Sequence, residues 1–100
     1  MGKHRKVHAV CYYCRTQLTV AIATSDHRLP LWKGGTSQNG NKVPCCWDCN
    51  QLKGAMDEET FMRVRDDPVA LRRERYLAQR HSWEALGKRC DAEMKRPLRR

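Results

Sequence analysis

Apolar residues in this chain fall into a few short runs divided by polar, glycine-marked stretches. The first, Leu18-Thr19-Val20-Ala21-Ile22-Ala23-Thr24, is rich in β-branched residues and leads into Ser25-Asp26-His27. That pattern predicts a strand with the Asp-His pair at its end. Neighbouring strand residues point to opposite faces, so Asp26 and His27 can serve separate purposes. A turn is expected at Gly34-Gly35 and a hairpin turn at Asn39-Gly40, followed by a return through Asn41-Lys42-Val43 into a short helix near Cys46. Asn50 then lies one helical turn beyond Cys46 and directly after Cys49.

Past Gly54 the pattern becomes helical. Asp57-Glu58-Glu59 opens a short helix through about Arg65, acids being favoured at the positive end of the helix dipole. Asp67-Pro68 reads as N-cap and first residue of another. From Val69 to about Lys95, Val69, Tyr76, Trp83, Cys90 and Met94, with Leu86, recur close to one face. His81-Ser82 is a candidate break, giving one bent helix or two. The expected organisation is α+β: a core over residues 1–56 with a basic N-terminal arm, and a basic helical extension over residues 57–100 packed on it as one domain.

A chain of 100 residues buries a limited fraction of its surface, so a structural metal is an expected remedy. Four of the six cysteines form two Cys-x-x-Cys pairs, Cys11 with Cys14 and Cys46 with Cys49. Each pair can present two sulfurs from one tight turn, the ligand set of a closed zinc site. A disulfide framework is the alternative, but no apolar run follows the opening Met-Gly-Lys-His-Arg-Lys, and a cytoplasmic setting with reduced thiols is expected. Cys45 could stand in for Cys46, although the two-residue gap favours Cys46. Cys90 reads as a small buried hydrophobe. The 31 residues between the pairs must carry structure of their own.

Net charge is +9, and residues 61–100 hold 12 of the 20 basic residues against six acids. The excess points to a polyanionic partner, with Arg72, Arg73 and Arg75 as candidate phosphate contacts, although a charged helix face is most often merely solvated. No apolar stretch approaches a membrane span. The opening Gly2 to His8 reads either as a mobile arm over a phosphate backbone or as a frayed terminus. Tyr12 and Tyr13 fit packing over the zinc turn or stacking on a base, packing being the commoner use; Trp47 fits the core, and Trp32 fits either core or surface.

In order along the chain, Cys11-x-x-Cys14, Asp26-His27, the Gly-Gly turn, Asn41-Lys42-Val43, Cys46-x-x-Cys49 and Asn50-x-x-Lys53-Gly54 resemble the HNH endonucleases, built on a ββα-metal core, over roughly the first half of the chain. The resemblance implies that His27 is the general base activating water, that Asp26 holds a divalent metal, that Asn41 orients the histidine and that Asn50 is the second metal ligand. It is similar in kind to small stand-alone members encoded by bacteriophages, which implies the cytoplasm of a bacterial host. Lys53 is equally a helix C-terminal charge or a phosphate contact.

Physical chemistry agrees with that transfer. Phosphodiester hydrolysis needs a nucleophilic water, a base of near-neutral pKa and a cation to stabilise developing charge. Imidazole ordinarily titrates near about 6.5. A carboxylate and an amide oxygen are hard ligands suited to Mg²⁺ or Mn²⁺, so two unlike metals are expected, structural Zn²⁺ on sulfur and an exchangeable catalytic cation on oxygen. Three readings follow: an endonuclease or nickase on DNA, with RNA not set aside by any residue; a related junction-resolving endonuclease, for which the stripe from Val69 to Met94 offers a homodimer seam; and a non-catalytic zinc-stabilised DNA-binding module.

Overall fold

The computed structural model describes residues 2–94, with side chains as far as Gly87. After a 3₁₀ turn at Gly2–His4 come β1 (Lys6–Val10), β2 (Gln17–Thr19), β3 (Ala23–His27), a 3₁₀ turn at Leu31–Lys33, β4 (Lys42–Cys46), α1 (Trp47–Lys53), α2 (Glu58–Val64) and α3 (Pro68–Met94). β1 pairs antiparallel with β2, and β3 with β4, as two separate two-stranded sheets. This is a small α+β fold with a helical C-terminal part, as the pattern predicts.

The predicted single strand over residues 18–27 divides in two. Val20 to Ile22 form a corner closed by the Ile22 amide on the Thr19 carbonyl at 3.1 Å, so β2 serves the first sheet and β3 the second. Propensity cannot distinguish such a corner from a strand interior, because the residues suit either. The N-terminal arm is likewise structured over part of its length. Lys6–Val10 pairs with β2, and where the register shifts the Gln17 side-chain amide donates to the Val7 and Ala9 carbonyls at 2.7 and 3.1 Å. Backbone pairing in place of solvation converts the last part of the expected mobile arm, Lys6 to His8, into strand.

β3 and β4 run in register from Ala23 opposite Cys46 to His27 opposite Lys42, and α1 begins at the next residue after β4. One buried cluster holds this unit together: Cys11, Tyr13, Leu18, Cys45, Cys46, Cys49, Met56, Phe61 and Val64. α2 is capped by the Asp57 carboxylate on the Thr60 amide at 2.8 Å. Asp67 accepts from the Val69 and Ala70 amides at 3.1 and 3.2 Å at the start of α3, the cap that the sequence predicts.

α3 is continuous through His81-Ser82, a single helix with no break there. Its inward face differs from the expected stripe. Ala70, Leu71 and Ala78 pack against the core, whereas Val69, Tyr76, Trp83 and Leu86 are 74, 61, 64 and 57% exposed. Small residues let the helix approach closely, and its rotation follows from how it leaves α2, which periodicity does not encode. The side chains of Cys90 and Met94 lie outside the described residues. Trp47, expected in the core, is 54% exposed. Cys46 and Cys49 must both turn inward, which sends the residue directly after Cys46 outward.

Candidate active site and metal centre

The two Cys-x-x-Cys turns meet face to face. In each, the amide of the second cysteine points at the sulfur of the first, Cys14 N to Cys11 Sγ at 3.5 Å and Cys49 N to Cys46 Sγ at 3.4 Å. Tyr12 N donates to the Pro44 carbonyl at 2.9 Å, fastening the first turn to β4. All four sulfurs lie within 4.8 Å of one another, and Cys14 Sγ is 3.8 Å from Cys46 Sγ. Tetrahedral Zn²⁺ with Zn–S bonds of about 2.3 Å requires sulfurs about 3.8 Å apart, so the donor set fits zinc.

The thiol electrostatics agree. Burial opposes ionisation of Cys11, but the backbone amides of Cys14, Cys46 and Tyr13 outweigh it and bring the thiol down to about 6. Burial, with neighbouring sulfurs, pushes Cys46 and Cys49 up. Four crowded sulfurs cannot all ionise unless a cation sits among them. Cys45 stands apart: fully buried, it donates to the Cys46 carbonyl at 3.3 Å, and burial raises it to about 12. It is an inert packing thiol.

Asp26, His27, Asn50 and Lys53 line one cleft of about 440 Å³ at the end of β3, between α1, the Pro30-Leu31-Trp32 turn and the distal part of α3 at Ser82, Ala85 and Leu86. Strand alternation divides the Asp-His pair as expected, with Asp26 buried and His27 partly exposed. Tyr13 donates its hydroxyl to Asp26 Oδ2 at 2.6 Å. Burial and this carboxylate acceptor push the phenol's pKa well up, so Tyr13 stays a proton donor. Asn50, on α1, donates its Nδ2 to Thr24 Oγ1 at 3.0 Å; its Oδ1 takes no hydrogen bond from the described residues. His27 Nε2 lies 3.2 Å from Ser37 Oγ.

Lys53 is a basic residue in the last turn of α1 ahead of Gly54, as one of its two readings has it. Its side chain is 1% exposed, and the ammonium sits 3.1 Å from Asp26 Oδ2 and 3.0 Å from the His27 carbonyl. It is also an internal brace joining α1 to the end of β3. A buried ammonium is tolerated only with such partners.

Asn41 lies outside this cleft. Its Oδ1 accepts from Leu29 N at 2.8 Å, and its Nδ2 donates to the carbonyls of Leu29 at 3.0 Å and Thr36 at 2.6 Å. It clasps both ends of the loop that carries Ser37 and so touches His27 only through that loop. Within the loop Gly34 has φ 97°, and a Cβ on Gly35 would lie 1.8 Å from the Leu29 carbonyl oxygen. Gly34 is thus required by its left-handed backbone and Gly35 by close backbone approach. On the far side Arg28 pairs with Glu58 at 2.6 Å and Tyr12 donates to the same carboxylate, tying α2 to the strand end.

Sequence reasoning did not identify Tyr13, Ser37, Thr24 or the α3 wall as parts of this site. No spacing signals them, because each reaches the site from a different element. Trp32, free to be core or surface by sequence, is partly buried and donates Nε1 to the Ala55 carbonyl at 2.8 Å. Arg72, Arg73 and Arg75 are all exposed on α3. No helix among the described residues is long and apolar enough to cross a membrane.

Compared with known proteins, residues 11–64, more than half of the chain, match a family model described as HNH endonuclease. No curated protein and no solved structure matches the chain.

Proposed function

This chain belongs to the HNH endonuclease family, and we propose that it is a metal-dependent endonuclease hydrolysing DNA phosphodiester bonds in the cleft at the end of β3. The observation that carries the reading is that Asp26, His27 and Asn50 line one open cleft, the Asn50 Oδ1 accepting no hydrogen bond from the described residues. A purely binding module has no physical use for a base beside a pair of hard oxygen ligands.

Asp26 and Asn50 suit a hard divalent cation. The Asp26 carboxylate has acceptor capacity beyond the Tyr13 and Lys53 contacts, which fall mainly on Oδ2, and Asn50 Oδ1 has no hydrogen-bond donor among the described residues. Bound there, Mg²⁺ or Mn²⁺ would supply charge stabilisation at the scissile phosphate. The chain's own groups do the rest. With Nε2–H donated to Ser37, His27 presents the Nδ1 lone pair as base: water attacks phosphorus, its proton passes to Nδ1, and the bond to the departing oxygen breaks. Asn41 serves this step as a positioning residue, since the loop it clasps sets the Ser37 hydroxyl. Lys53 holds Asp26 and the strand end in place. Arg72, Arg73 and Arg75 supply sequence-independent attraction to the phosphate backbone.

The test is cleavage of supercoiled plasmid with Mg²⁺, Mn²⁺ or Zn²⁺ added separately, beside His27→Ala. Cutting is expected with Mg²⁺ or Mn²⁺ and none without a divalent cation, while the sulfur-held zinc stays. Strong activity with Zn²⁺ alone would count against the oxygen ligand assignment. A His27→Ala variant that cuts like the parent removes the nuclease reading in favour of a zinc-stabilised binding module.

A further inference from the structure

Beside the catalytic cleft runs a second hollow of about 520 Å³, between α1 and the first half of α3. Its floor is apolar, from Leu52, Pro68 and Leu71, and its rim carries Arg72, Arg75 and Tyr76. Tyr76 is 61% exposed, and neither arginine forms an ion pair with the described residues. Arg73 does not line the hollow, so the three arginines expected to act alike divide into two in the groove and one outside it.

The groove and the cleft meet at Gly54. This glycine lines the cleft, and the position its Cβ would take is 3.5 Å from Cγ and Nε of Arg75, which lines the groove. Its backbone, at φ 55° and ψ −128°, is one that side chains rarely adopt, so the boundary stays low and Arg75 lies along it. A strand leaving the cleft over Gly54 would pass Arg75 first.

We propose that this groove holds an unpaired strand of the DNA substrate next to the scissile bond, with a base stacked on Tyr76 and its phosphates on Arg72 and Arg75. The identity of the substrate rests on the nuclease reading above; the unpaired state rests on the groove itself. A base has an apolar face to set against Tyr76 and the apolar floor, and its phosphates match two unpaired guanidinium groups. A duplex would satisfy the arginines but keep its base faces stacked internally, leaving Tyr76 and the floor without a partner. A second copy of the chain would cover the floor but bring Arg72 and Arg75 of two molecules together unpaired, which like-charge repulsion and desolvation oppose.

The experiment is fluorescence anisotropy without added divalent cation, comparing a fully paired duplex with the same duplex carrying a single-stranded tail on either side. The tailed DNA should bind about tenfold tighter or better, in keeping with one base stack. Tyr76→Ala should remove that preference while leaving the paired duplex within about twofold, and Tyr76→Phe should restore it. Arg72→Gln with Arg75→Gln should lower the slope of log affinity against log salt on the tailed DNA by about 1.4, two single-strand phosphates' worth. Equal binding of tailed and paired DNA by the parent overturns the proposal. So does a Tyr76→Ala loss equal on both, or a dimer by light scattering that Tyr76→Ala dissolves. Binding is read without cleavage, so the two readings fail separately. A protein that prefers the tail and cuts nothing loses the nuclease reading and keeps the groove; one that cuts but ignores the tail loses the groove alone.

Discussion

The four-sulfur centre and the cleft lie at opposite ends of the same β3–β4–α1 unit and follow opposite rules. The sulfur centre is closed: four like ligands come from two turns of the same form, the first sulfur of each turn held by the amide three residues on. The cleft is open, and its groups come from β3, α1, the loop before β4 and the far part of α3. Fixed soft ligands suit a metal that never leaves, whereas a few hard oxygens beside an open space suit a cation and a substrate that exchange. α1 links the two, carrying Cys49 in its first turn and Asn50 and Lys53 further along. The helix thereby ties the cleft to the sulfur centre.

The severest way to break the comparison is to remove a sulfur. Cys49→Ser, or stripping the metal, should abolish cooperative folding, because zinc binding supplies folding energy on the order of 10 kcal/mol. Metal analysis should find about one zinc per parent chain; folded protein without zinc would refute the assignment. A smaller break is internal to the brace. Lys53→Met leaves Asp26 buried with Tyr13 as its one side-chain donor among the described residues, and urea unfolding should show a loss of about 3 kcal/mol. A loss well under about 1 kcal/mol would show that the ion pair does not hold the strand end.

His27→Ala sharpens the comparison from the other side, since it leaves the four cysteines, Asp26 and Asn50 in place. It should slow cleavage by about 10²-fold, roughly 2.7 kcal/mol of barrier, with DNA affinity and thermal midpoint nearly unchanged. An equal fall in affinity would mean that His27 binds and does not catalyse. The smallest effect concerns the acidic cap of α2. Burial works against the Asp57 charge, but the Lys33 ammonium and the Thr60 donors hold its carboxyl down at about 2. A folded pKa below the ordinary 3.8 stabilises the fold above about pH 4, and this is lost as pH falls through about 2. Asp57→Asn keeps a capping oxygen and drops the charge, so it should cost under about 1 kcal/mol at neutral pH, given the partly exposed Lys33, and nothing near pH 2. A penalty independent of pH would assign the effect to the cap alone.

The two regions were also unequally legible. Cys11, Cys14, Cys46 and Cys49 could be read as one set because the Cys-x-x-Cys spacing specifies a local turn, and the choice of Cys46 over Cys45 followed from the same gap. The strand end at Asp26-His27, the helix carrying Asn50, the acidic opening at Asp57 to Glu59 and the cap at Asp67 were legible for the same reason: each is settled within a few residues. Lys53 was not, because whether a long cationic side chain turns inward depends on a carboxylate 27 positions earlier in the chain. Nor was the exposure of Trp47, which follows from its neighbours' need to face the sulfurs.

By itself the sequence determined the ligand types, the periodicities and the turn chemistry, and with them the α+β class and the family; these rest on contacts between near neighbours, or on motifs whose spacing is their geometry. Only the tertiary structure decided how the run from Leu18 breaks between two sheets, which face of α3 turns inward, that Tyr13 and Lys53 share Asp26, and that the basic groove opens onto the cleft at Gly54. Each of these depends on where distant segments meet, and that is set by the shape of the packed core, which no single stretch of the chain carries.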